Sequence, residues 1–260
     1  MARHVLKPLG YIEILDRTID IYRRNFLLLF GIAGSVLIPF TTLYNYYATH
    51  FTINVRTGNT HGAISLPNLI VMYLISYIVT AAVMWAASGL YLGNKPTIPG
   101  SYMVILKRII PFILTMLISM LLIAVGSILF FIPGIIMFII TSFAMQALIL
   151  ENRQYIDAIR RSRELIRDEW TKVLVLWILI SLIIFAFNLP SRMIYGHMET
   201  PIAGSLLLVK GLVSGIVQAL LLPIQTIALV LLYYDIRIRK EGFDIEKMAA
   251  DLGNPTPSQE

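Results

Sequence analysis

The chain contains no cysteine. That excludes a disulfide-stapled secreted domain, thiolate-held zinc or iron–sulfur centres and thiol catalysis. Charge is also scarce. Only 14% of the 260 residues are Asp, Glu, Lys or Arg, against ~25% in an average soluble domain. Histidine is rare: His4, His50, His61 and His197 are all there are. No two of them have the i,i+4 spacing of a helical metal motif, and Glu199 is the only acid on the outer loops that carry the last three, so no metal site is expected. Walker loops, Gly-rich dinucleotide turns and HExxH stretches are missing as well. The sequence therefore offers no catalytic set and calls for no cofactor.

Apolar residues are what the chain has in excess. They make up 57% of it, and mean hydropathy is +0.76. Disorder needs low hydrophobicity and is excluded. Lipid is the expected solvent. A span needs ~20 mostly apolar residues to cross the hydrocarbon core. Six stretches meet or approach that length: 26–47, 66–92, 110–131, 134–150, 171–188 and 205–234. Pro39 and Pro223 are expected to bend the first and sixth, and Lys210 to snorkel to the headgroups. No short apolar core with a small-residue cleavage site precedes the first span, so that span is expected to remain in the chain.

Lys and Arg set the orientation. Arg56, Arg192 and Lys210 fall on one side of the spans, and the other 18 of the 21 basic residues fall on the other. By the positive-inside rule both termini are cytoplasmic and the protein is a multi-pass protein of the cell membrane. The outer loops are then about 48–65 and 189–204, with only a tight turn at 132–134 between them. The net charge of +6 lines a membrane face and alternates with acids, so no nucleic-acid partner is expected.

A self-match gives the architecture. Residues 11–26 read YIEILDRTIDIYRRNF and residues 155–170 read YIDAIRRSRELIRDEW. Without gaps, Tyr11 meets Tyr155, Arg17 meets Arg161, Asp20 meets Glu164, Arg23 meets Arg167 and Phe26 meets Trp170. A weaker copy starts at Tyr102. Ile12, Leu15, Ile19, Tyr22 and Phe26 step by three and four, as one apolar helix face does. Glu13–Arg17 and Asp20–Arg24 are i,i+4 ion pairs on the opposite face. The expected fold is all-α: a polytopic bundle of six transmembrane helices with three cytoplasmic interfacial amphipathic helices. Its three parallel pseudo-repeats run over about 10–92, 100–150 and 154–240 of a membrane domain 1–242, with a short cytoplasmic tail at 243–260. Gly242 ends an extension of the last span.

The stretches 6–26, 150–170 and 231–249 together resemble the membrane-domain family of glycerophosphoryl diester phosphodiesterases and related six-helix families of undefined function. The shared marks are an amphipathic leading helix, an acid closing the fourth span (Glu151), an Ala-x-x-x-Ser helix (Ala158, Ser162) and a Tyr-Asp-x-Arg exit (Tyr234, Asp235, Arg237). The family's catalytic activity belongs to a separate soluble barrel. The tail here is too short to hold one, so the resemblance implies the membrane module without the phosphodiesterase.

Two sets of residues are candidate sites. Arg17, Arg23, Arg161 and Arg167 on the leading helices either fix hairpin geometry or hold anionic lipid headgroups or a phosphorylated ligand. Glu151 and Asp235 sit at cytoplasmic span ends, and each is expected to face an elbow arginine such as Arg17, Arg161 or Arg167, because an unpaired acid there is costly. Gln146, Asn188, Gln218 and Gln225 lie inside spans, where amides bridge helices or, less commonly, line a pathway. No Asp, Glu or Arg lies mid-span, which argues against a proton- or ion-coupled pump. Gly211-x-x-x-Gly215 permits close helix approach, either between the first and last spans or at a dimer face.

Three functions remain. The first is a non-catalytic integral membrane protein that scaffolds a protein partner or senses and organises lipid. The second is a passive carrier or channel for a lipid or small amphiphile, and the third a membrane-embedded lipid-processing enzyme. Membrane lipid is the expected partner, with a protein partner or homo-oligomer open.

Overall fold

The computed structural model describes residues 9–56, 66–196 and 204–242, with side chains for 9–46, 70–189 and 208–242. The outer-loop side chains, all four histidines, Arg56, Arg192 and the tail 243–260 lie outside the described side chains. Among the described residues every element is helical, and the fold is an all-α membrane bundle. In chain order the helices are α1 (Tyr11–Arg24), α2 (Phe26–Arg56), α3 (Leu66–Tyr91), α4 (Ile98–Lys107), α5 (Ile109–Leu129), α6 (Phe131–Thr141), α7 (Ala144–Glu151), α8 (Tyr155–Ile166), α9 (Trp170–Gly196) and α10 (Gly204–Glu241).

Six segments are long and apolar enough to cross a membrane: Phe26–Tyr46, Ile70–Tyr91, Ile109–Leu129, Phe131–Glu151, Trp170–Leu189 and Leu208–Glu241. Short helices α1, α4 and α8 precede the first, third and fifth. Asn25 and Arg108 turn the first two of these into their spans with the same backbone conformation (φ −122, ψ 30 and φ −118, ψ 21). Thr97 starts α4 by accepting the Gly100 N–H at 3.2 Å, and Pro99 occupies the first turn, where no N–H is needed.

Helix α10 is the axis of the bundle, in contact with α1, α2, α3, α8 and α9. Its side chains from Ile227 to Ile236 are all buried. The closest approach is to α2. A β-carbon on Gly211 would stand 2.6 Å from Thr42 Cα, and one on Gly215 would stand 2.8 Å from Ile38 Cα and collide with the Thr41 hydroxyl. The Thr41 hydroxyl donates to the Gly211 carbonyl at 3.1 Å. The Gly-x-x-x-Gly spacing thus serves the internal contact between first and last spans. At its far end α10 stops at Glu241, and Gly242 takes a left-handed φ of +60 with its N–H on the Ile238 carbonyl.

Two local differences from the sequence expectation matter. The turn between the third and fourth spans falls at Phe130 rather than at 132–134, because Pro133 is accepted in the first turn of α6. Gly126 and Gly134 let the two helices meet there. The fourth span, read as continuous, is broken at Ser142–Phe143 into α6 and α7. The break contains no Pro or Gly. It is held by Ser162 of α8, whose hydroxyl accepts the Phe143 N–H at 3.0 Å and donates to the Ile140 carbonyl at 2.5 Å. Backbone freed inside a membrane must find such partners.

The leading helices are not equivalent. On α1, Ile12 (76%) and Ile19 (60%) are exposed while Ile14 and Thr18 face the bundle. On α8, Ala158, Ile159, Ser162, Leu165 and Ile166 are all buried. This helix is packed into the bundle.

Candidate functional site

Two ion networks tie the charged end of the bundle to α10. Glu151, the last residue of α7, receives Arg161 Nε at 2.7 Å and Nη2 at 3.1 Å, the two-pronged geometry that guanidinium and carboxylate favour. Arg237 approaches the same carboxylate at 3.3 Å, and the Tyr233 hydroxyl donates to it. Arg161 reaches on to Glu241 with a 2.8 Å hydrogen bond. Burial works against the Arg161 charge, but its hydrogen bonds to Glu241 and Glu151 outweigh it and raise its pKa above the ordinary arginine value. This arginine is committed to two carboxylates.

Asp235 is fully buried and takes different partners from those the sequence suggested. Lys172, near the start of α9, donates to it, as do Arg239 Nε at 3.1 Å and the Leu9 N–H at 2.5 Å. Lys172 and Arg239 both also donate to the Leu9 carbonyl, at 2.9 and 3.0 Å. One residue of α10 thus pins the segment before α1 to the start of α9. Sequence reading counted Lys172 among the flanking charges. The missed signal is that a lysine one step inside an apolar span needs an acid.

The other elbow arginines lie elsewhere. Arg17 pairs with Glu13 on its own helix at 3.3 Å. Arg23 and Arg167 are exposed. The structure therefore does not gather the four arginines into one pocket. Arg108 has an unforeseen role: its Nη1 donates to the Leu148 and Ile149 carbonyls at 3.3 and 3.1 Å, satisfying the end of α7.

What the structure does gather is the four amides. Gln146, Asn188, Gln218 and Gln225 all line one cavity of about 310 Å³ between α3, α7, α9 and α10. Ser76 and Thr80 of α3, Ser142 at the α6–α7 break and Thr226 of α10 add hydroxyls to the wall. Every one of its described lining side chains is uncharged. The break in the fourth span matters here, since it brings Ser142 and Gln146 to the wall. The amides are in part anchored: Asn188 Nδ2 donates to the Ile184 carbonyl at 2.8 Å, and Gln218 Nε2 contacts the Ser214 hydroxyl at 3.3 Å.

A shallower recess adjoins the cavity. This second recess of about 340 Å³ is lined by Ser181, Phe185, Ile184, Asn188 and Gln225, and it shares the last three with the first. Ser181 and Phe185 are exposed on α9. The second recess therefore adjoins the first along α9 and α10 and reaches the exposed face of α9. Helix α9 is the least enclosed of the six spans, 22% buried against 56% for the sixth, and it packs mainly on α10 and α6. Comparison with known proteins finds no family model, no curated protein and no solved structure that matches this chain.

Proposed function

We propose that this chain is a passive carrier or lipid-sensing module that draws a lipid or small amphiphile sideways from the bilayer into its amide-lined cavity. One observation carries this reading: Gln146, Asn188, Gln218 and Gln225, in-span amides from three helices, converge on a single cavity beside the loosest span and the central one. A polar chamber beside an exposed recess suits a molecule with a polar head and an apolar tail. The uncharged character of its described wall speaks against an ion pathway. Among the described residues that line it there are no clustered acids, which a hydrolytic centre would need.

The basic end of the bundle is assigned to the cytoplasm on the distribution of Lys and Arg. Exposed Ile12 and Ile19 on α1, beside exposed Arg23, suit a helix lying in the headgroup region. The resemblance to the phosphodiesterase membrane-domain family fits a module whose work is with lipid. Native mass spectrometry of protein purified in mild detergent tests the reading. We expect a retained amphiphile, released when Asn188→Trp fills the shared wall of the two recesses. Retention that Asn188→Trp leaves unchanged, or none in a folded sample, contradicts it.

A further inference from the structure

Two buried polar atoms, on side chains that line the cavity, have no hydrogen-bond partner among the described residues. Gln146 is 1% exposed, and its Oε1 accepts no hydrogen bond. The Trp177 indole Nε1, on the facing helix α9, donates none. Both residues line the cavity. A buried donor or acceptor without a partner is costly and uncommon. Here one of each kind belongs to a side chain on the same cavity.

We infer that the cavity selects an uncharged headgroup that both donates and accepts hydrogen bonds, such as a hydroxyl or primary amide, with Gln146 Oε1 accepting and Trp177 Nε1 donating. This rests on the reading of the cavity as an amphiphile site. The chemistry of the wall narrows the class further. A carboxylate or phosphate would meet no Lys or Arg among the described lining residues and lose its hydration uncompensated. An ester offers acceptors alone. It satisfies Trp177 and leaves Gln146 Oε1 unpaired. A hydroxyl or primary amide satisfies both. The volume of about 310 Å³ takes a small headgroup. The chain leaves through the recess beside Ser181 and Phe185.

The test uses the full-length protein, freed of bound lipid in detergent, and four probes with the same eighteen-carbon chain: oleyl alcohol, oleamide, methyl oleate and oleate. Saturable shifts in thermal unfolding report binding. Oleyl alcohol and oleamide are expected to bind at least ~10-fold more tightly than methyl oleate or oleate, as a lost buried hydrogen bond implies. Gln146→Leu should erase that preference. Trp177→Phe keeps an aromatic ring and removes the donor. It should weaken the alcohol and the amide even if Gln146→Leu does not fold.

Equal binding of methyl oleate, or a preference for oleate, overturns the headgroup inference and leaves the amphiphile reading standing. An alcohol preference unchanged in both variants overturns the assignment to Gln146 and Trp177. Absence of any shift with all four probes overturns both.

Discussion

Arg161 of α8 and Glu151 of α7 face each other in a two-pronged ion pair, at 2.7 and 3.1 Å, on side chains 18% and 11% exposed. The pair closes the loop between the fourth span and its neighbouring short helix, and Tyr233 and Arg237 join it to α10. Breaking a buried pair by removing one partner costs about 3–5 kcal/mol, because a charge is left uncompensated. Arg161→Met should fall near the lower end of that range, since Arg237 still serves Glu151. A double-mutant cycle of Arg161→Met with Glu151→Gln, read by unfolding in detergent, should give a coupling of about 1–3 kcal/mol.

Asp235 and Lys172 should behave differently from that network. Asp235 is wholly enclosed, and Asp235→Asn leaves Lys172 and Arg239 facing a neutral amide. A loss of about 3–5 kcal/mol is expected. Lys172→Met in the same chain should recover part of it, because the buried cation is removed with its acid. A protease-accessibility assay on the segment before α1 checks the structural consequence, since Leu9 is held by the same cluster. Protection that survives Asp235→Asn would contradict the pinning.

Gly211 and Gly215 are where α10 touches the α2 backbone. Gly211→Ala places a methyl group 2.6 Å from Thr42 Cα, and backbone cannot step aside as a flexible side chain can. Overpacking of this kind costs about 1–3 kcal/mol. Gly10→Ala is the control, because nothing lies within 4 Å of its β-carbon. The comparison is made by melting temperature, and equal effects would remove the close crossing.

Ser162→Ala should loosen the broken fourth span. The Phe143 N–H and the Ile140 carbonyl both lose their partner, at about 1–3 kcal/mol for a buried group left unmade. Hydrogen exchange at residues 142–146 should speed up, and amphiphile binding should weaken, since Ser142 and Gln146 border the cavity. Unchanged exchange at the break would show that Ser162 does not hold it.

The spans were legible because lipid imposes length and hydropathy directly, and their observed bounds differ from the sequence reading by a few residues. Gly211 and Gly215 pointed to a close crossing because small residues at that spacing have few other uses in a membrane. Gly242 marked the end of α10 for a similar reason. The break at Ser142–Phe143 was hidden because its cause, Ser162, is twenty residues away and acts through space. Lys172 was hidden because charge counting treats a residue at a span edge as a flank. The four amides were visible one by one in the sequence, but their convergence depends on helix rotation, which hydropathy does not encode.

The most direct measurement is a density map of the protein purified from membranes into lipid nanodiscs. The account predicts an elongated feature with its head between Gln146 and Trp177 and its tail passing between α9 and α10 beside Ser181 and Phe185. A map in which α9 closes onto α10 and apolar side chains fill the space around Gln146 would contradict it.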